Sequence, residues 1–219
     1  MKLSETSGSN NEKSKAFAKP SRFATLACVV AFSVLSTGCI SVKQYVDPTL
    51  PKVAYSDLKP VDSKQSVQVF FEFRTKGSTN AAATDFVRPM VLETLKQSKM
   101  FSDVVISPAT SENKLFITID NVPQDKDTFT KGFGTGLTFG LAGTMVTDGY
   151  IMKTDYIAAN KNEFKHTYKH AIHSTIGNAD GPPGLTPVPK EPKGAAVKQV
   201  TEGLILNLLN DMSKNSEFN

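Results

Sequence analysis

The amino-acid sequence predicts an α+β fold, an antiparallel or mixed sheet of about five strands with two helices on one face. Two observations support this prediction. Apolar and polar residues alternate over residues 66–74 and 114–122, as in strands with one buried face. Over residues 195–212, apolar side chains instead recur at helical spacing. The order of elements is β-α-β-β, apolar insert, β-β-α, which indicates a single domain over residues 66–213.

The first half of this domain holds a strand at residues 66–74 and then a helix. The helix is expected from Thr84 or Asp85 to Met100, with Asp85 as a cap and Pro89 in or near the first turn. A short strand at residues 104–106 and a longer one at 114–122 follow.

The second half contains a predicted hairpin. Strands at residues 150–158 and 163–174 are separated by an Asn-rich turn. Residues 176–194 are rich in proline and glycine and are expected to form a loop without regular structure. The chain then continues into the helix at 195–212.

The N-terminal region has the three parts of a secretory signal. A basic segment that includes Lys13, Lys15, Lys19 and Arg22 precedes an apolar run at residues 23–35. Leu35-Ser36-Thr37-Gly38-Cys39 closes the run and resembles the lipobox of bacterial lipoproteins. This resemblance implies that residues 1–38 are removed and that Cys39 carries lipid.

Two features depart from the commonest lipobox pattern. The basic segment is long, and Ser36 occupies the position where leucine is most frequent. An uncleaved N-terminal anchor and an ordinary cleaved signal are the alternatives, and Cys28 is a weaker lipidation candidate. Ile40 follows Cys39, whereas an aspartate there retains lipoproteins in the inner membrane of enteric-type bacteria. The resemblance therefore implies lipid anchoring in the outer membrane, facing the periplasm.

Charge and cysteine content exclude several function classes. The chain has 25 Lys and Arg against 21 Asp and Glu, but residues 1–38 contain five of the basic and two of the acidic residues. The remaining 20 basic and 19 acidic residues give no basic surface for nucleic acid. Downstream of Cys39 there is no cysteine, which leaves no disulfide, thiolate nucleophile or cysteine zinc site.

Residues 39–65 are expected to be the lipidated N-terminus and a flexible tether. Pro48, Pro51 and Pro60 interrupt any helix, and no periodic pattern is sustained. A flexible chain of about 25 residues spans roughly 25–30 Å. The tether would then hold the domain within about one small-domain diameter of the bilayer.

Residues 132–147 form an uncharged insert in which three glycines are spaced four residues apart. This spacing permits close helix packing, and the insert could contact the lipid interface or a partner protein. Alternatively, it is a Gly-rich loop and hairpin on the domain's own core. A phosphate loop is excluded, because no GK[ST] ending follows. The candidate contact residues are Gly132, Phe133, Gly136, Phe139, Gly140 and Leu141.

A second resemblance comes from Leu137-Thr138-Phe139-Gly140-Leu141 followed by Thr147-Asp148-Gly149-Tyr150. This segment is similar to one in small, poorly characterised lipoproteins of Gram-negative bacteria, and the layout is loosely similar to accessory lipoproteins of envelope assembly and export. The resemblance implies an envelope α+β lipoprotein and supplies no catalytic residues.

The three histidines, His166, His170 and His173, lie close together in the sequence. On a helix they could hold a metal. The local alternation favours a half-exposed basic strand, on which His166 and His170 stand roughly 13 Å apart. We therefore expect neither a metal site nor a cofactor.

Catalysis is not indicated by any motif. The sequence downstream of Cys39 lacks the common hydrolase signatures, and Asp148 and Asp155 are the candidate acid/base pair. The sequence thus predicts a non-catalytic accessory or structural component of the cell envelope, anchored through Cys39, with an envelope protein complex as its candidate partner. A lipid or small-ligand carrier, which would have a phenylalanine-lined cavity between sheet and helices, and an envelope hydrolase are the alternatives.

Overall fold

A mixed sheet and two helices make up the part of the chain that the structure describes. The structure is a computed structural model that describes residues 41–124 and 145–215. The strands are β1 Val42–Val46, β2 Val67–Thr75, β3 Ser78–Thr79, β4 Val104–Val105, β5 Asn113–Gln124, β6 Met145–Ile157 and β7 Glu163–Ile176. The helices are α1 Ala81–Gln97 and α2 Ala195–Lys214, and a 3₁₀ turn spans Tyr55–Asp57.

The strand order across the sheet is β1-β7-β6-β5-β2-β3, and β4 also pairs with β2. The β2 strand runs parallel to β4 and β5, and the other pairs are antiparallel. The predicted α+β class with a mixed sheet and two helices is confirmed. Within the described residues the sheet has seven strands rather than about five, because β1 and the two-residue β3 were not predicted.

Both helices contribute to one core on one face of the sheet. The register places buried residues of β2, β5, β6 and β7 on this face, where the apolar sides of α1 and α2 cover them. The most deeply buried members include Val67, Leu115, Ile117, Ile119, Met152 and Ile172 of the sheet and Val91, Leu95, Leu204, Leu208 and Met212 of the helices. This arrangement confirms the alternation and helical spacing read from the sequence.

The α1 helix begins earlier than predicted. Asn80 caps it, since its side-chain oxygen accepts a hydrogen bond from the Ala83 N–H at 3.0 Å. Asp85 is therefore not the cap, and Pro89 lies inside the helix instead of in the first turn. Pro89 is exposed, so the carbonyl that lacks an N–H partner at this position can be hydrated.

The predicted flexible tether at residues 39–65 is wrong near its start, because residues 42–46 are the edge strand β1. Its register with β7 runs from Val42 opposite Ile176 to Val46 opposite Ile172. The chain that follows packs on α2: the Asn207 side chain donates to the Pro51 carbonyl at 2.9 Å, and Ser213 Oγ accepts from the Lys59 N–H at 3.3 Å. Proline excludes a helix but allows an edge strand and extended chain.

The β6 strand also begins before its predicted start. Met145 already pairs with β7, so residues 145–147 of the predicted insert at 132–147 belong to the sheet. The rest of that insert lies outside the described residues. Both neighbours of the undescribed segment, Gln124 and Met145, are strand residues.

The Pro- and Gly-rich loop at residues 176–194 covers β1. Val188 donates its N–H to the Gln44 carbonyl at 2.7 Å. Gly181 lies against the Tyr45 ring, and a Cβ at Gly181 would stand 2.2 Å from Tyr45 Cζ. The predicted absence of regular structure holds apart from Ile176, which is the last residue of β7, and this isolated bridge.

One end of the sheet, here called the β1 end, brings together the start of β1, the end of β5, the start of β6 and the end of β7. Val42 pairs with Ile176, Met145 with Thr175, and Gln124 with Thr147. The opposite end holds the β6–β7 turn. In the described part of the chain, neither helix is long and apolar enough to span a membrane.

Candidate functional site

The β1 end is the first candidate site, because the predicted lipid-carrying residue and the predicted insert both adjoin it. Val42 stands three positions after Cys39, and the preceding Ser41 is already fixed: its carbonyl accepts the Gly177 N–H at 2.8 Å. Cys39 itself and the candidate contact residues Gly132, Phe133, Gly136, Phe139, Gly140 and Leu141 lie outside the described residues.

Three exposed apolar side chains lie at this end. Val42 is 43% exposed, Ile176 is 44% exposed and Val146 is 50% exposed. Val42 is opposite Ile176, and Val146 is opposite Ser174, two residues before Ile176 on β7. Because side chains two residues apart on a strand share a face, all three lie on one face of the sheet. We call this set the end patch.

A buried polar network links the strands β7 and β6 with Asp47, the residue that follows β1. His173 Nε2 lies 3.0 Å from Asp47 Oδ2, and His173 Nδ1 lies 2.9 Å from Thr147 Oγ1. The other Asp47 oxygen accepts hydrogen bonds from the backbone N–H and hydroxyl of Thr49. Burial raises the pKa of Asp47, but the hydrogen bonds from His173 and Thr49 outweigh it and hold that pKa below its usual value.

An acid, a histidine and a hydroxyl in this order also occur in hydrolase triads, but burial argues against that role here. Asp47 is 1% exposed, His173 is 0% exposed and Thr147 is 5% exposed. A substrate carbonyl would have to reach Thr147 Oγ1, which the packing does not allow. The network instead cross-links β1, β7 and β6 through side chains.

The second candidate site is a cavity of about 530 Å³ between the chain after β1 and the helix α2. Its lining is mainly apolar, and His170 of β7 is one of its polar members. The residues around it include Val46, Leu50, Pro51, Val53, Tyr55, His170, Glu202, Gly203 and Leu206. Gly203 leaves room beside the imidazole: a Cβ there would stand 3.4 Å from His170 Nε2.

His170 is a neutral group in this cavity. It is 5% exposed, and its Nδ1 has no hydrogen-bond partner among the described residues. Burial is the main cause that lowers the pKa of His170 to about 4, and the nearby Asp47 carboxylate opposes it weakly. At the cavity wall, burial and the Glu202 carboxylate together raise the pKa of Tyr55 to about 12. Both groups are therefore uncharged at neutral pH.

The three histidines lie on a strand, as predicted, and not on a helix. The prediction that this strand is half-exposed is wrong for its second half, where His170 and His173 are both buried. The sequence did not reveal that residues 46–55 pack beside His170 or that β1 covers the edge of β7. His166 is exposed, and its Nδ1 lies 3.8 Å from Asp211 Oδ2. In the described ranges, no group of three or more His, Asp or Glu side chains is arranged to hold a metal.

The fold does not place Asp148 and Asp155, the candidate acid/base pair, close to each other. Asp148 and Asp155 are seven residues apart on β6, which corresponds to roughly 23 Å and to opposite faces of the sheet. Asp155 is paired with Lys165 at 3.6 Å on the face away from the helices. These two carboxylates therefore cannot act on one substrate.

No protein-family model and no curated protein matches this chain. Among solved structures, the chain is similar to a putative neuraminyllactose-binding hemagglutinin homolog from Helicobacter pylori, with 9% identity, a TM-score of 0.38, and coverage of 74% of this chain and 90% of that one. A minor lipoprotein from Acinetobacter baumannii matches with 8% identity, a TM-score of 0.35, and coverage of 68% and 92%. The PelC dodecamer from Paraburkholderia phytofirmans matches with 13% identity, a TM-score of 0.28, and coverage of 78% and 96%. These TM-scores are too low to establish a shared fold or function.

Proposed function

We propose that this protein is a lipid-anchored envelope lipoprotein with a non-catalytic accessory role, attached to the periplasmic face of the outer membrane through Cys39. The lipobox-like sequence supports the anchor, and Ile40 supports the outer membrane. The observation that carries the proposal furthest is that Val42, three residues after Cys39, already belongs to the sheet. Three residues span at most about 10 Å, so the anchor would hold the domain directly at the bilayer.

The position of the predicted insert supports the same role. Gln124 and Met145, which flank it, lie at the β1 end together with the start of β1. An insert that contacts lipid or a membrane-bound partner would have to leave the domain near the anchor, and the positions of these flanking residues support such a contact. Residues 132–144 are therefore the proposed contact for an envelope protein complex.

The lipid anchor is tested by metabolic labelling with palmitate in a Gram-negative host. Cys39→Ser is expected to abolish labelling and to release the protein from the membrane fraction. Cys28→Ser is the matched control, because it removes the other cysteine of the chain and should leave both properties unchanged. Loss of label in Cys28→Ser, or full labelling of Cys39→Ser, would contradict the proposal.

A second candidate function is favoured by the cavity beside His170. A neutral imidazole in an apolar lining suits an apolar molecule that carries one hydroxyl or similar polar group. The sequence-based alternative of a carrier anticipated a phenylalanine-lined cavity, whereas no phenylalanine lines the one described here. Binding of the apolar fluorophore N-phenyl-1-naphthylamine to full-length Cys39→Ser protein tests this function. Adding Gly203→Leu, which fills the cavity, should abolish binding, and unchanged binding would rule out this cavity.

A further inference from the structure

Half of the large apolar side chains that are exposed in the described part of the chain lie at the β1 end. Six large apolar side chains are at least 38% exposed, and three of them form the end patch. These three come from different strands, β1, β6 and β7, which the register brings side by side. Scattered exposed apolar residues are common on soluble domains, whereas neighbouring ones on adjacent strands are a candidate contact surface.

We infer that the end patch of Val42, Val146 and Ile176 rests on the lipid bilayer into which the acyl chains of Cys39 insert. This inference depends on the proposed lipidation of Cys39 and adds to it which surface of the domain faces the membrane. We assign lipid as the molecule that covers the patch because Val42 is a member of the patch and lies only three residues after the proposed acylated cysteine, Cys39. With at most about 10 Å of chain between them, the patch cannot stand far from the headgroups.

The hydrogen bonds of β1 fix this orientation. The Ser41 carbonyl accepts a hydrogen bond from the Gly177 N–H, and the Asp47 N–H donates to the Ala171 carbonyl at 3.0 Å. Between these two hydrogen bonds, β1 pairs with β7. A domain held by a long flexible tether could rotate freely over the bilayer. A domain whose edge strand begins next to the anchor presents mainly the end at which that strand starts.

The cysteine content permits a direct test. Once Cys39 is acylated and residues 1–38 are removed, the chain has no free thiol, so one introduced cysteine can be labelled alone. Val146→Cys and Ile176→Cys each place an environment-sensitive NBD fluorophore in the patch. Ile106→Cys is the matched control, because Ile106 is 43% exposed but follows β4 at the other edge of the sheet.

The lipidated mature variants are reconstituted in vesicles of phosphatidylethanolamine and phosphatidylglycerol, with and without nitroxide-labelled lipid. Fluorescence at positions 146 and 176 should be blue-shifted and quenched several-fold more strongly than at 106. Equal quenching at all three positions in membrane-bound protein would overturn the inference and leave the anchor intact. Probe positions shielded from aqueous iodide but not quenched by lipid would also overturn it, in favour of a protein occupant.

Failure of the proposed anchor gives a different result. If Cys39 is not acylated, the protein without an introduced cysteine takes up the thiol-reactive fluorophore at that position. That outcome contradicts both the proposed function and this inference. Two independent patch positions ensure that one poorly folding variant does not decide the test.

Discussion

At the scale of single residues, His173 accounts for how the edge strand stays on the sheet. It bridges Asp47, which follows β1, and Thr147, at which β6 begins to pair with β5. All three side chains are buried, so every lost hydrogen bond leaves a polar atom without water. A short edge strand of five residues gains little from its backbone ladder alone, and the side-chain network adds to it.

Asp47→Ala should therefore lower the free energy of unfolding by about 2–4 kcal/mol, because it leaves buried His173 without its carboxylate partner. Urea denaturation of the purified protein measures this change. Asp62→Ala removes an exposed carboxylate and should change the free energy by less than about 0.5 kcal/mol. Equal effects of the two substitutions would show that the buried network contributes nothing.

Burial of neutral His170 predicts that the stability of the fold depends on pH. Its folded pKa of about 4 lies below its ordinary value of 6.5, so the unfolded chain binds a proton first as the pH falls. Stability due to neutral His170 is complete above pH 6.5 and is lost progressively as the pH falls towards 4, by up to about 3 kcal/mol in total. Asp47, whose folded pKa is depressed, loses its contribution only as the pH falls below its ordinary value of 3.8.

Between pH 6.5 and pH 5, the slope of unfolding free energy against pH should therefore be smaller in His170→Leu than in the natural protein. Urea denaturation at several pH values in this window provides the slope. An unchanged slope would mean that His170 titrates normally in the folded protein.

At the scale of elements, the contact between the 176–194 loop and β1 is the least expected feature. Gly181 lies so close to Tyr45 that no side chain fits without displacing a buried ring. Gly181→Ala should lower the free energy of unfolding by about 1–3 kcal/mol through this overlap. Introducing Tyr45→Leu together with Gly181→Ala should recover part of the loss, and a double-mutant cycle measures the coupling. Strict additivity would show that loop and strand do not touch.

The long strands could be predicted from the sequence, while β1 could not. Residues 66–74 and 114–122 alternate over nine positions each, and a sheet with one buried face produces that period directly. The β1 strand has only five residues with prolines after it, and its pairing with β7 is a contact across more than 120 residues. The burial of His170 and His173 could not be predicted either, since it follows from that same long-range packing.

At the scale of the whole molecule, the sheet topology puts the start of β1 and both flanks of the 125–144 segment at one end. The chain segments that lead to Cys39 and to residues 125–144 therefore both leave the sheet at this end. Since β1 begins at Val42, the expected flexible connection of roughly 25–30 Å is replaced by a span of three residues from Cys39 to the sheet.

The proposed partner contact is tested by replacing residues 132–144 with a short Gly/Ser linker. The replaced segment ends at residue 144, because Met145 and Thr147 pair with β7 and the Thr147 hydroxyl forms a hydrogen bond with His173. The variant should keep its membrane fraction and its unfolding free energy but lose the proteins that co-purify with the natural chain from crosslinked envelopes. Retention of the same proteins would place the contact elsewhere.

The most direct test of the account is the mass of the mature protein's N-terminal peptide, isolated from membranes of a Gram-negative host. The account predicts a peptide that begins at Cys39 and carries a diacylglyceryl group on the sulfur. A peptide that begins at another residue, or an unmodified Cys39, would contradict the anchor and the membrane-facing orientation derived from it.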